Sequence, residues 1–201
     1  MSLRHTYTFI APLYDAAIAA ASAGVRAQSL KQLPQLPQQG DLNIFINGIG
    51  TGLDLPYLPL CHRYTGLDLT AAMLSRAKPR AKNLRLSLVQ GDSMKLPFAS
   101  ESFDHAVLHL ILAVVPDSLA CLREAARVLK PGGRMLILDK FLQPGETAWL
   151  RRALNPLVRC VATRLDVVFE EVLAGVPGLK LEADVPVLAG GWFRSIRLVK
   201  T

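Results

Sequence analysis

Residues 44–52 read Ile44-Phe45-Ile46-Asn47-Gly48-Ile49-Gly50-Thr51-Gly52, an apolar run that opens directly into a loop with glycine at alternate positions. A short apolar run bounded by glycine suits a buried strand. Glycine permits a sharp turn there and removes the side chain that would hold a ligand off the backbone. Alone, the pattern also describes an ordinary glycine-rich turn, so its meaning depends on the residues C-terminal to it.

From Asp41 onward, strand-like runs alternate with helical patterns. The strands are expected at Asn43–Asn47, Arg63–Asp68, Arg85–Gln90, Phe103–His109 and Gly133–Asp139, with helices at Thr70–Lys78 and Ser118–Leu129. In the second helix Leu119, Leu122, Ala126 and Leu129 recur at three- and four-residue spacing, Asp117 is a natural N-cap, and Lys130-Pro131-Gly132-Gly133 ends it. Such alternation argues for an α/β fold with a mostly parallel sheet covered by helices on both faces. Two last strands, about Lys180–Leu188 and Trp192–Val199, are joined by Ala189-Gly190-Gly191 and read as an antiparallel hairpin, making seven strands. Asp166 is the expected cap of a short helix with Glu170 and Glu171 in its first turn and Gly175 at its end.

The 201 residues suit a single domain. We divide them into an N-terminal helical lid (1–40), a core (41–141), a helical cap or membrane-contact insertion (142–177) and C-terminal strands (178–201). The lid helix is expected from Leu13 to about Leu33, running into the linker-like QLPQLPQQ of residues 32–39. With 51% hydrophobic and 19% charged residues the chain is not of disordered type, and its longest apolar stretch, Ala106–Val115, is too short to span a bilayer. Cys61, Cys121 and Cys160 lack metal-ligand spacing and read as buried free thiols in a reducing cytoplasm. The net charge is +7. The basic run Arg76, Lys78, Arg80, Lys82 and Arg85 has no interleaved aromatics, which argues against a single-strand nucleic-acid platform and for a solvated helix end, with a lipid-facing patch as the alternative.

Gly48 stands twenty residues before Asp68, which ends the next strand. In nucleotide-binding α/β folds an acid at that distance accepts hydrogen bonds from ribose hydroxyls. Asp92 in Gly91-Asp92-Ser93-Met94 follows the third strand, placed to accept from an adenine amino group with Met94 against the ring. A dinucleotide is disfavoured, because the third glycine of its fingerprint is replaced by Leu53.

INGIGTG (46–52), GLDLTAAMLSRA (66–77), GDSMKLPFASESFDHAV (91–107) and LREAARVLKPGGRMLILD (122–139) together resemble the motifs of class I methyltransferases that use S-adenosylmethionine (SAM). Within that superfamily, YTFIAPLYD (7–15), GTGLDLPYLP (50–59), LAVVPDS (112–118), DKF (139–141) and GWFRSIRL (191–198) are most similar to the soluble bacterial phosphatidylethanolamine N-methyltransferases, with the ubiquinone/menaquinone methyltransferases close behind. The resemblance implies a Rossmann-like fold with SAM bound, and S-adenosylhomocysteine left as product, by Asn47, Gly48, Gly50, Gly52, Asp68, Leu69, Asp92, Ser93, Met94 and His109. It implies that Tyr7 and Tyr14 close over donor and acceptor. One departure stands out: the family places Asp or Glu where this chain has Asn47, so the residue that helps hold the methionine amino end lacks its charge.

His109 ends the fourth strand and is either a proton acceptor or a polar wall, with a histidine satisfied by neighbouring groups as the alternative. Asp139 is a candidate ammonium ligand. Trp149–Leu165 reads as a basic amphipathic helix suited to an anionic bilayer or to capping an acceptor pocket. The expected activity is N-methylation of phosphatidylethanolamine or a related lipid amine, in the cytoplasm or peripherally at the inner membrane face. Methylation of a quinone or other small apolar acceptor, and a methyltransferase-like partner that binds SAM weakly because of Asn47, are the alternatives. No nucleic-acid partner is expected.

Overall fold

A computed structural model describes residues 22–35, 40–142 and 166–201. Residues 22–30 are helical (α1), the described part of the expected lid helix. The strands β1 (Asn43–Asn47), β2 (Arg63–Asp68), β3 (Arg85–Gln90) and β4 (Phe103–His109) have the expected bounds. They are followed by β5 (Leu129–Lys140), β6 (Leu179–Leu188) and β7 (Phe193–Lys200). The helices between them are α2 (Ala71–Ala77), α3 (Ser118–Val128) and α4 (Phe169–Ala174).

All seven strands form one sheet in the order β3-β2-β1-β4-β5-β7-β6. The pairs from β3 through β5 are parallel, and β7 runs antiparallel to both β5 and β6. This is the expected sheet, including its C-terminal hairpin.

Alternate side chains of β1 feed two cores, as strand geometry requires. Ile44 and Ile46 pack with Leu30 and Leu33 at the α1 end, with Val107 and with Leu136. Phe45 points the other way, toward α3 residues Cys121, Leu122 and Ala125, and stacks on Phe103 with ring centroids 5.1 Å apart. Burial on both faces is why β1 reads as an unbroken apolar run.

Three local readings change in the fold. Lys130-Pro131-Gly132-Gly133 does not merely end α3; it lies inside β5, where the register jumps from Phe103↔Leu129 to His105↔Arg134. The N-cap of α4 is Val168 rather than Asp166, and no side chain caps it. Cys121 is buried as expected, but Cys61 is only half-buried. The expected helix at Trp149–Leu165 and Cys160 lie outside the described residues.

At the β6 edge of the sheet, Arg194 pairs with Asp184 of β6 and, at 2.7 Å, with Glu170 of α4, so its guanidinium ties helix to sheet. It also lies over the rings of Phe141 and Phe169. Among the described residues, no helix is long and apolar enough to cross a membrane.

Candidate active site

The strand order reverses at β1, whose neighbours are β2 and β4. Diverging loops at such a switch point leave a crevice at the carboxyl ends of the strands, where ligands bind in open α/β sheets. A cavity lies there. Gly48, Ile49, Gly50 and Thr51 after β1 line it, with Asp68 and Leu69 after β2 and Asp92, Ser93 and Met94 after β3. The end of β4 and the loop after it add His109, Leu110, Ile111 and Val114 to the wall, and Arg26 of α1 lines it as well.

The glycine loop is bound from two directions. Gly50 N donates to Asp68 Oδ2 at 2.9 Å, and Arg80 Nη1 donates to the Thr51 carbonyl at 2.6 Å. Part of the basic run is therefore structural. Gly48 has φ +71°, and a β-carbon there would lie 2.6 Å from Ile111 Cδ1, so its hydrogen lets the β4 loop close onto the β1 loop. Gly52 does not line the cavity. Its φ is +81°, and an added β-carbon would meet Leu55 at 2.7 Å and Ala77 at 3.1 Å, so its part is packing the loop against α2.

Asp68 Oδ1 accepts from Thr70 N at 3.0 Å while Thr70 Oγ1 caps α2 by accepting from Met73 N at 3.3 Å. The acid and the cap expected to compete for this turn are thus both in use. Burial raises the Asp68 pKa, and the hydrogen bonds from Thr70 and Gly50 only partly offset it. Asp92 Oδ1 accepts from Met94 N at 2.8 Å, which folds Met94 back toward the cavity.

His109 lines the cavity with its side chain 0% exposed. Its Nδ1 lies 2.9 Å from Asp54 Oδ1 and its Nε2 lies 3.0 Å from Ser29 Oγ. A carboxylate at Nδ1 calls for a proton there, leaving Nε2 to accept from the serine hydroxyl. Arg26 Nη1 donates to the same Asp54 oxygen at 2.7 Å, and Arg26 Nε donates to Ser22 at 2.9 Å. Sequence reading missed Arg26, Ser29 and Asp54. The one local hint was an acid two residues past Gly52, inside an otherwise apolar Leu53-Asp54-Leu55.

Leu110, next to His109, has φ +58° and donates its N–H to the Leu138 carbonyl. A left-handed leucine is a strained conformation of the kind that gathers at ligand sites.

Asn47 and Asp139 differ from expectation. Asn47 is fully buried and does not line the cavity; its Nδ2 donates to Cys121 Sγ at 3.5 Å, and its Oδ1 has no partner among the described residues. Asp139 is 1% exposed and accepts from Ala113 N and Lys140 N, so it braces the turn after β4 rather than offering itself to an ammonium. Tyr7 and Tyr14 lie outside the described residues.

The residues present fit a nucleoside with a charged tail. Asp68 would offer a carboxylate to ribose hydroxyls, Leu69, Met73 and Met94 would offer apolar surface to a base, and Arg26 and Asp54 put charge elsewhere on the cavity wall.

Residues 47–137 match the family model described as a methyltransferase domain. The chain is 32% identical over 155 residues to a phosphatidylethanolamine N-methyltransferase of Cereibacter sphaeroides, covering 75% of this chain and 76% of that one. It is 45% identical over 76 residues to a demethylmenaquinone methyltransferase of Staphylococcus haemolyticus, covering 37% of this chain but only 32% of the relative. In fold it is similar to a SAM-dependent methyltransferase from Thermotoga maritima, with TM-score 0.73 and 19% identity over 99% of this chain and 100% of that one. It is also similar to the geranyl diphosphate C-methyltransferase of Streptomyces coelicolor solved with S-adenosyl-L-homocysteine, with TM-score 0.70 and 18% identity over 89% of this chain and 79% of that one. The glycine loop, the acids at the strand ends and these similarities converge: the chain belongs to the SAM-dependent methyltransferases.

Proposed function

We propose that the enzyme methylates the amine of phosphatidylethanolamine or a related lipid amine. The observation that carries this reading is the breadth of the match to the Cereibacter sphaeroides enzyme, 155 residues against 76 for the menaquinone relative of Staphylococcus haemolyticus. A quinone or other small apolar acceptor is the second reading, favoured by the higher identity of that shorter match. The net charge of +7 supports peripheral contact with an anionic inner-membrane face, with residues 149–165 as the contacting segment.

SAM supplies a methyl group already activated on a sulfonium. The chain's own task is to align the acceptor and keep it unprotonated. Asp68 and Asp92 hold the nucleoside end, and the glycine loop admits it to the backbone. His109 is the candidate proton acceptor: Asp54 on Nδ1 fixes the tautomer that leaves Nε2 to accept. To act, Nε2 must exchange the Ser29 hydroxyl for the acceptor. Tyr7 and Tyr14 are proposed to close over the acceptor from the N-terminal side.

The test is incubation with methyl-labelled SAM and vesicles of phosphatidylethanolamine with anionic lipid, beside demethylmenaquinone in detergent. Label in a lipid that migrates as the N-methyl product supports the first reading. Label in the quinone alone overturns it in favour of the second. Vesicle binding that weakens with salt supports the membrane contact.

A further inference from the structure

We propose that Arg26 and Asp54 form the subsite for the amino-acid end of SAM, Arg26 taking the α-carboxylate and Asp54 the α-ammonium. The proposal rests on the cavity being the SAM site and adds to it which residues replace the acid missing at position 47.

Three observations carry it. First, Asn47 cannot serve: it brings no charge, is fully buried, and faces Cys121 rather than the cavity. Second, Arg26 and Asp54 both line the cavity while their side chains are only 7% and 6% exposed. Third, their bonding leaves hydrogen-bonding capacity. Arg26 Nη1 and His109 Nδ1 both fall on Asp54 Oδ1. Asp54 Oδ2 and Arg26 Nη2 carry no hydrogen bond among the described residues.

A free carboxylate oxygen beside a free guanidinium nitrogen is an uncharged whole made of two opposite charges. The methionine end of SAM is its complement, an ammonium and a carboxylate on one carbon. Charge-assisted bonds of this kind are short and strong when desolvated. The cluster also couples the subsite to the lid, since Arg26 and Ser29 belong to α1 while Asp54 and His109 belong to the core. Ligand bound there would hold α1 down by bridging groups from both parts.

The test compares S-adenosylhomocysteine with 5′-methylthioadenosine, which shares the nucleoside and the sulfur but lacks the amino-acid end. Isothermal titration is run on the whole chain and on Arg26→Gln, Arg26→Lys, Asp54→Asn and Asp68→Asn. Wild type is expected to prefer S-adenosylhomocysteine by about tenfold or more. Arg26→Gln and Asp54→Asn should each lower that affinity by about tenfold while leaving methylthioadenosine within about twofold of wild type. Arg26→Lys should lie between, keeping the charge but losing the fork. Asp68→Asn, at the nucleoside end, should weaken both ligands together.

Two outcomes overturn the proposal while leaving the SAM site intact. In one, the Arg26 and Asp54 variants bind both ligands as wild type does. In the other, the two ligands weaken equally in every variant, which marks a purely structural pair. Wild type that binds neither ligand would instead overturn the SAM reading of the cavity, and the subsite with it.

Discussion

Arg26 Nη1 and Asp54 Oδ1 lie 2.7 Å apart with both side chains more than nine-tenths buried, so a charge pair drawn from α1 and the loop after β1 is built into the cavity wall. Removing one member of such a pair strands the other without water. Asp54→Ala is therefore expected to lose about 3 kcal/mol or more of stability, read by urea denaturation of the apoprotein. Burial raises the Asp54 pKa, but the hydrogen bonds from His109 and Arg26 and the Arg26 charge outweigh it and hold the carboxyl well below its usual range. A depressed folded-state pKa gives stability that is present above the unfolded value and lost as pH falls through the folded one. The gap between wild type and variant should accordingly persist at about pH 5 and shrink only well below about pH 4.

Gly48 and Ile111 share one space. A methyl at position 48 must displace Ile111 and also adopt φ +71°. Gly48→Ala is expected to cost about 1–3 kcal/mol, measured by thermal unfolding, and to weaken SAM binding. Adding Ile111→Ala should recover the steric part but not the backbone part. Full recovery would show that the left-handed conformation carries no strain.

Asp68 offers a pH signature. Its pKa is raised, chiefly by burial, and an acceptor for ribose hydroxyls, the role proposed for it, would need the ionised form. S-Adenosylhomocysteine affinity should fall as pH drops through that raised value, beginning above the ordinary carboxylate range. Asp68→Asn should bind more weakly at neutral pH and show no such acid limb. Titration calorimetry at successive pH values reads both.

Cys121 should be inert while the chain is folded. Burial pushes its thiol up to about 12, and the Asn47 amide bond offsets this only in part. Iodoacetamide at about pH 8 followed by peptide mapping should leave Cys121 unmodified in native protein and modify it in denaturant. Labelling of native protein at Cys121 would mean that α3 opens from β1 on the time scale of the reaction.

Much of this molecule was legible locally. The bounds of β1 through β4, the Asp117 cap of α3, the C-terminal hairpin and the strand-end acids Asp68 and Asp92 all come from periodicity, capping and spacing within about twenty residues. These signals are local because backbone geometry ties neighbours in sequence to neighbours in space. Contacts between distant segments arise only on folding: Arg26 with Asp54, Ser29 with His109, and Cys121 behind Asn47. The turn of Asn47 away from the cavity and the packing part of Gly52 belong with them. No spacing rule encodes a pair brought together when α1 packs on the sheet. Side-chain direction at a strand end depends on which core each face meets. Periodicity and spacing encode the sheet, the glycine loop and the strand-end acids Asp68 and Asp92, whereas the charges of Arg26 and Asp54 meet only when α1 packs on the sheet.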